Sequence, residues 1–344
     1  MSRLAVVLFN LGGPDGPKAV RPFLKNLFSD PAIIGAPGPM RFLLAETISR
    51  VRERTAIENY AVMGGGSPLT PGTVAQAEVL QSRLLARRPG DETRVFVAMR
   101  YWRPLTAEVA AAVAAYEPDE VVLLPLYPHF STTTTASSLT AWDRVYKGGG
   151  RRRVICCYPD QPALVEAHAR LIQEAWARAG SPAPIRLLFS AHGLPERTSN
   201  AGDPYRGQIE RTCAAVAARL GESWDWRVCF QSRVGPMKWI GPSTIEAIEA
   251  AARDGVGVII DPIAFVSEHV ETLVELDRDY AEVARRVGAQ PYLRVPALGV
   301  DAGFVDGLAD LVDAALLGDA VKPGASRCGA KSARCPLLAE RQAA

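Results

Sequence analysis

Glu268, Glu271 and Glu275 recur at spacings of three and four in the stretch IAFVSEHVETLVELD (263–277), and Asp279 continues the row. Those spacings put the carboxylates on one face of an α-helix. Like charges so placed cost about 0.2–0.5 kcal/mol per pair on an exposed helix, and more when partly buried. A row of acids that the fold does not need implies a cation or a proton to handle; the alternative is a plain solvated helix face. His269 lies within the row and could assist it. His192, in SAHGLP, directly follows an apolar run and precedes Gly and Pro. A neutral imidazole there accepts a proton or binds a metal near neutral pH. His129 and His168 read as structural or exposed.

Of six cysteines, Cys328 and Cys335 stand in RCGAKSARCP, Cys156 and Cys157 are adjacent, and Cys213 and Cys229 fall in a helix and a strand and read as core. Four thiolates can hold an iron–sulfur cluster or zinc, although this spacing is no C-x2-C pattern. Neither GGGSP (64–68) nor NLGGP (10–14) meets the glycine pattern of a phosphate-binding loop, so a nucleotide is not expected. The glycines serve better to let backbone approach a flat ligand.

The elements that must carry these residues alternate. Apolar runs at 4–10, 94–99, 120–126, 185–190, 226–231 and 256–261 read as strands, with helices at 70–87, 106–116, 163–179, 205–220 and 243–254. Continuous apolar strands alternating with helices predict α/β architecture with parallel sheets covered on both faces. The strands fall into two groups, so two doubly wound Rossmann-like domains are expected, with KGGGRRR (147–153) and SPAPI (181–185) as linker candidates. Ligands of such sheets bind beyond the carboxyl ends of the strands. That rule directs attention to Asn10–Pro14, Arg100–Trp102, Tyr127–His129, Ala191–Gly193, Ser232–Arg233 and the 262–275 segment. With 344 residues, 48% hydrophobic content and a net charge of +2, the chain reads as a globular protein with no nucleic-acid partner. No apolar run approaches the roughly 20 residues of a membrane span, and MSRLAVVLFNLGG is no signal peptide, so the cytoplasm is expected.

The segments VVLFNLGGP (6–14), LFSDPAII (27–34), GGGSPL (64–69), MRYWRP (99–104), LPLYPHFSTTTTASSL (124–139), FSAHGLP (189–195), QSRVGPMKWIGP (231–242) and PIAFVSEHVETLVELD (262–277) together resemble the ferrochelatase family, in family order over about residues 4–320. The resemblance implies insertion of Fe²⁺ into a porphyrin, protoporphyrin IX by default, with release of two protons in the final stage of haem biosynthesis. It implies two chelatase domains, 1–160 with about 296–325 and 161–295, facing a porphyrin cleft, and a C-terminal tail at 326–344. His192 looks like the histidine at the porphyrin centre and the site of incoming iron, with Glu271 as its acidic partner. Glu268, His269 and Glu275 look like a path for protons or metal; the family often has Asp where Glu268 stands. Leu11, Tyr60, Ser67, Arg100, Tyr101, Tyr127 and Trp239 match positions lining the macrocycle or its propionates, and Arg54 falls in the family's basic stretch.

Some members carry a [2Fe-2S] cluster. This chain departs from the animal pattern, with two tail cysteines and Thr132 where the animal proteins have a distant cysteine; Cys156 and Cys157 would complete four ligands with Cys328 and Cys335. The apolar segment 27–50 matches a lip that can rest on a membrane, which implies peripheral contact at the inner face of the cell membrane. A monomer and a homodimer are both compatible with the resemblance. Coproporphyrin III as substrate, a cobalt chelatase of the same fold and a tetrapyrrole carrier without catalysis are the rival readings.

Overall fold

A computed structural model describes residues 2–233, 235, 237–318, 320 and 321. The chain divides into two compact units, Met1–Cys157 with Leu308–Lys322, and Tyr158–Gly307. The first unit carries β1 (Arg3–Asn10), α1 (Pro17–Phe28), α2 (Gly38–Val62), α3 (Leu69–Arg87), β2 (Glu92–Met99), α4 (Thr106–Tyr116), β3 (Glu120–Pro125), α5 (Thr135–Val145) and β4 (Arg151–Ile155). The second carries α6 (Pro162–Arg178), β5 (Ile185–His192), α7 (Glu196–Asn200), α8 (Tyr205–Leu220), β6 (Asp225–Gln231), α9 (Thr244–Arg253), β7 (Gly257–Asp261), a π-helix (Glu271–Tyr280), α10 (Ala281–Val287) and β8 (Tyr292–Arg294). Helix α11 (Ala302–Leu317) leads the chain back to β9 (Ala320–Val321) of the first unit.

Each unit is built on a parallel sheet, ordered β2-β1-β3-β4-β9 in the first and β6-β5-β7-β8 in the second. The doubly wound α/β expectation therefore holds. Strand β1 has seven consecutive buried residues, Leu4–Asn10, because helices cover both faces of its sheet and leave no polar side. Phe9 meets Trp142 edge-on in that core. Phe189, Phe230 and Ile259 hold the corresponding layer of the second unit. Helix α9 starts with a capping box, Ser243 Oγ accepting from the Glu246 backbone and Glu246 from the Ser243 backbone.

Neither linker candidate separates the units. KGGGRRR runs into β4, whose Arg153 is buried and pairs bidentately with Glu120 of β3 at 2.9 and 3.1 Å. SPAPI is the turn that enters β5 within the second unit. The division falls at Cys157/Tyr158, in a segment with no compositional mark.

Candidate active site

His192 is the last residue of β5, the second strand of the four-stranded sheet, and pairs in register with Gln231, the last residue of β6. Beyond β7 the chain turns through Pro262–Val270 into the π-helix. Three strand ends thus deliver His192, Gln231 and Glu271 to one edge, where ligands of such sheets bind. His192 Nδ1 lies 2.9 Å from Glu271 Oε2, and His269 Nε2 lies 3.7 Å from the same oxygen. The Glu271 carboxylate fixes the imidazole tautomer with hydrogen on Nδ1, which leaves Nε2 as the basic nitrogen. The His192 side chain is partly exposed at the strand end.

The electrostatics separate the groups. Burial opposes protonation of His192, but the neighbouring Glu271 charge and the more distant Glu275 outweigh it and raise its pKa. Burial also works against ionised Glu271; the charge and hydrogen bond of His192, with His269, overcome it and hold that carboxyl well below its ordinary range. Glu275 goes the other way, pushed up to about 7 by burial and by the Glu271 charge, although Ser232 donates to it. A neighbouring acid pair with separated proton affinities marks a candidate acid–base site.

Glu275 Oε2 accepts from Ser232 Oγ at 2.7 Å, from Gln231 Nε2 at 3.2 Å and from Tyr280 Oη at 3.4 Å. Ser232 adopts a left-handed backbone, φ 61, which turns the chain out of β6. Such a conformation is uncommon in a residue other than glycine. On the other side of His192, a Cβ on Gly193 would meet the Gln231 carbonyl at 2.8 Å and the Trp239 ring at 3.1 Å. Glycine there lets the Trp239 ring approach the backbone next to His192.

The acidic row is not one α-helical stripe. Glu268 and His269 precede the helix, and the helix from Glu271 to Tyr280 is of the wider π type, whose i→i+5 bonds change the spacing of side chains. Glu268 is tied to Arg294 Nη1 at 2.5 Å and to the Ala297 backbone at 3.0 Å. Burial resists its ionisation, and the Arg294 charge lowers its pKa regardless. Asp279 is exposed and pairs with Arg278. Only Glu271 and Glu275 converge, with the histidines.

In the first unit, Arg100 follows β2 and donates to Asp30 Oδ2 at 2.7 Å and to Ser137 Oγ at 2.8 Å. Tyr101 Oη donates to the same Asp30 oxygen at 2.8 Å, Ser137 Oγ makes a further short bond to it, and the Ala32 amide reaches Oδ1 at 2.8 Å. The Arg100 guanidinium stacks 4.9 Å from the Tyr101 ring centre. Tyr101 and Tyr60 are buried, whereas Leu11, Ser67 and Tyr127 are partly exposed. Ser67 packs so closely on Gly13 that a Cβ there would overlap it. Arg54 is exposed on α2 and pairs with Glu58. Sequence reasoning missed Asp30, Ser137, Gln231, Tyr280 and Arg294. Gln231 was within reach, since it ends a strand one residue before the dipeptide that was singled out.

Cys156 and Cys157 are fully buried after β4; Cys328 and Cys335 lie outside the described residues. Burial raises the pKa of Cys213, and that of Cys229 to about 12, which keeps both as core thiols. Among the described residues no group of three or more His, Cys, Asp or Glu is arranged to hold a metal ion.

The sequence pattern of the family described as Ferrochelatase matches residues 3–316. A ferrochelatase of Caulobacter vibrioides is 61% identical over 97% of both chains. One of Phenylobacterium zucineum is 58% identical, again over 97% of both. Among solved structures, DR2241 of Deinococcus radiodurans, a multi-domain protein with structural similarity to chelatases, superimposes with a TM-score of 0.54 at 15% identity. The match covers 90% of this chain and 55% of that longer one, and the likeness is one of fold.

Proposed function

The chain belongs to the ferrochelatase family, and we propose that His192 takes up pyrrole protons as Fe²⁺ replaces them in the porphyrin, with Glu271 stabilising the resulting imidazolium. Ferrochelatase activity, a metal chelatase reaction of the lyase class in the final step of haem biosynthesis, follows from relatives this similar along nearly the whole chain. The observation that carries the proposal is the 2.9 Å contact of His192 Nδ1 with Glu271 at the carboxyl end of β5. With Nδ1–H committed to the carboxylate, Nε2 accepts a proton, and the adjacent carboxylate disperses the charge. Glu275 is the next acceptor, since its pKa of about 7 suits both loading and release. Incoming iron is substrate; His192 and Glu271 offer it few ligands, which favours transfer over capture. His269 borders this path, whereas Glu268, held by Arg294, anchors its entrance.

Protoporphyrin IX is the substrate we assign. We assign Trp239, beside Gly193, to the macrocycle. Of the family positions in the first unit, Leu11, Ser67 and Tyr127 are partly exposed and suited to contact, and Tyr60 and Tyr101 are buried and would support them. Arg100 is held by Asp30, and exposed Arg54 suits a propionate. The flat apolar disc with a charged rim needs aromatic surface and guanidinium groups. Anaerobic mixing of the protein with Fe²⁺ and protoporphyrin IX, followed by the haem absorption band, tests the assignment. His192→Ala and Glu271→Gln should each slow insertion by about 10²–10⁴-fold, the range for a lost acid–base group. Full activity in both variants refutes the mechanism. A higher kcat/KM for coproporphyrin III replaces the substrate, and porphyrin binding without insertion leaves a carrier.

Two further assignments accompany this reading. Cys156, Cys157, Cys328 and Cys335 would hold a [2Fe-2S] cluster, an electron-transferring group when bound. Complete burial of the first two thiols suits a cluster shielded from solvent. Iron and sulfide analysis with visible absorption of the air-protected protein tests it, and colourless, iron-free protein refutes it. Helix α2 exposes Met40 at 58%, Phe42 at 60%, Leu43 at 66% and Val51 at 77%, with Lys25 and Arg50 close by at Glu46. Apolar side chains beside cations suit the surface of an anionic bilayer. No helix of the described residues is long and apolar enough to cross a membrane, so we assign peripheral contact from the cytoplasm. Flotation with phosphatidylserine vesicles should retain the chain and lose it on Phe42→Ser with Leu43→Ser; no retention refutes the contact. Sedimentation of the same protein separates a monomer from a homodimer.

A further inference from the structure

We propose that Gln231 is a positioning residue of the insertion reaction, holding the first turn of the π-helix so that Glu271 and Glu275 meet His192. This rests on the catalytic reading above and adds to it a residue that no family motif role supplied.

The Gln231 side chain is enclosed, with the residue 1% exposed, so it cannot touch porphyrin or iron. Its amide is nevertheless fully used. Ser190 Oγ donates to Oε1 at 2.8 Å, and Thr244 Oγ1 lies 2.9 Å from Ser190 Oγ behind it. With Oε1 thus committed as acceptor, the amide orientation is fixed, and both Nε2 hydrogens face the π-helix. One goes to the Glu271 backbone carbonyl at 2.8 Å and the other to Glu275 Oε2 at 3.2 Å. A π-helix is a rare and weakly held form, usually found as single turns. This one begins at Glu271 and runs for ten residues. A side-chain donor on its first carbonyl anchors that opening turn from the strand that pairs with the His192 strand, residue against residue. The neighbouring side chains of one strand edge therefore set both halves of the site: His192 from β5, and the helix carrying its partners through Gln231 of β6. Glutamine supplies at once the acceptor for Ser190 and the two donors for the helix. Glutamate would set an acceptor against a carbonyl and a carboxylate, and an apolar side chain of the same length would leave both acceptors without their donor.

Gln231→Met and the isosteric Gln231→Glu test this in the full chain. Displacement of reacting groups by about an ångström costs up to 10²-fold, and loss of an outer-shell partner 10–100-fold. Each variant should therefore lower kcat by roughly 10–100-fold while the KM for protoporphyrin stays within about twofold, since Gln231 does not face the ligand. Hydrogen exchange followed by mass spectrometry should rise in peptides covering 270–281 and stay unchanged in those covering α9 and β5. The proposal is overturned if kcat stays within about threefold of wild type, if KM rises in proportion, or if exchange rises throughout the second unit. Wild-type iron insertion reads the catalytic assignment separately: should it fail, the exchange measurement still decides whether Gln231 holds the helix.

Discussion

Replacing Asp30 by Asn should destabilise the first unit by about 3 kcal/mol at neutral pH. The Asp30 carboxylate is almost wholly enclosed and takes Arg100, Tyr101, Ser137 and the Ala32 amide. Removing one member of a buried ion pair costs about 3–5 kcal/mol, because the remaining charge loses its compensation without regaining water. The Arg100 side chain keeps 22% exposure, which places the loss at the lower end. For a urea dependence of roughly 2–3 kcal/mol/M the midpoint should fall by about 1–1.5 M. Amide exchange in β1 and β3 as a function of urea isolates the first unit from the second. The effect should depend on pH. Burial opposes ionisation of Asp30, but the Ser137 and Ala32 hydrogen bonds and the Arg100 charge together hold its pKa below the ordinary value. A depressed pKa contributes stability that is complete above the unfolded value of about 3.9 and is lost as pH falls through the folded one. The penalty of Asp30→Asn should therefore be constant from neutrality to about pH 5 and shrink in stronger acid. Adding Arg100→Met should recover much of the loss, since deleting both partners leaves no orphaned charge. A single-variant loss below about 1 kcal/mol, or a double variant as unstable as the sum of the two singles, refutes the reasoning.

Glu275→Gln should gain on wild type as pH rises. Burial and the Glu271 charge place the folded pKa of Glu275 at about 7, above its unfolded value of about 4.3, so the wild type loses stability across that window and the amide does not. Thermal midpoints at pH 5 and pH 8 check this, and an equal gap at both pH values counts against it. Arg153→Met should cost about 2 kcal/mol, because the buried guanidinium pairs bidentately with a Glu120 that is only partly exposed; a urea midpoint unchanged from wild type would show the pair to be neutral. Phe189→Ala, at a fully buried position of the second sheet, should cost about 3–5 kcal/mol, measured by the loss of exchange protection in β5 and β7.

The parallel sheets were legible because their strands are buried on both faces and so read as unbroken apolar runs, as in LAVVLFN of β1 and VIID of β7. Strand β4 escaped that signal. Its first three residues are arginines, and the buried one is paired with Glu120 on the neighbouring strand and with the Gly318 carbonyl, partners that local sequence does not announce. Strand β8 is three residues long, too short for a period to register. The site divides in the same way. His192 and Glu271 were visible as residue types at a strand end and in an acidic run, and the structure brings them to 2.9 Å. The row itself was misjudged because an i, i+3, i+4 count assumes 3.6 residues per turn, whereas the helix from Glu271 is of the π type. That difference changes which acid does what. An α-helical stripe would align Glu268, Glu271, Glu275 and Asp279 alike. The helix is entered only after Glu268; Gln231 reaches both Glu271 and Glu275, while Glu268 and Asp279 pair with Arg294 and Arg278. Arg294 keeps Glu268 charged, whereas burial and the Glu271 charge raise Glu275 toward neutrality. In the proposed path, a proton would therefore pass from His192 by Glu271 to Glu275, with Glu268 and Asp279 outside it.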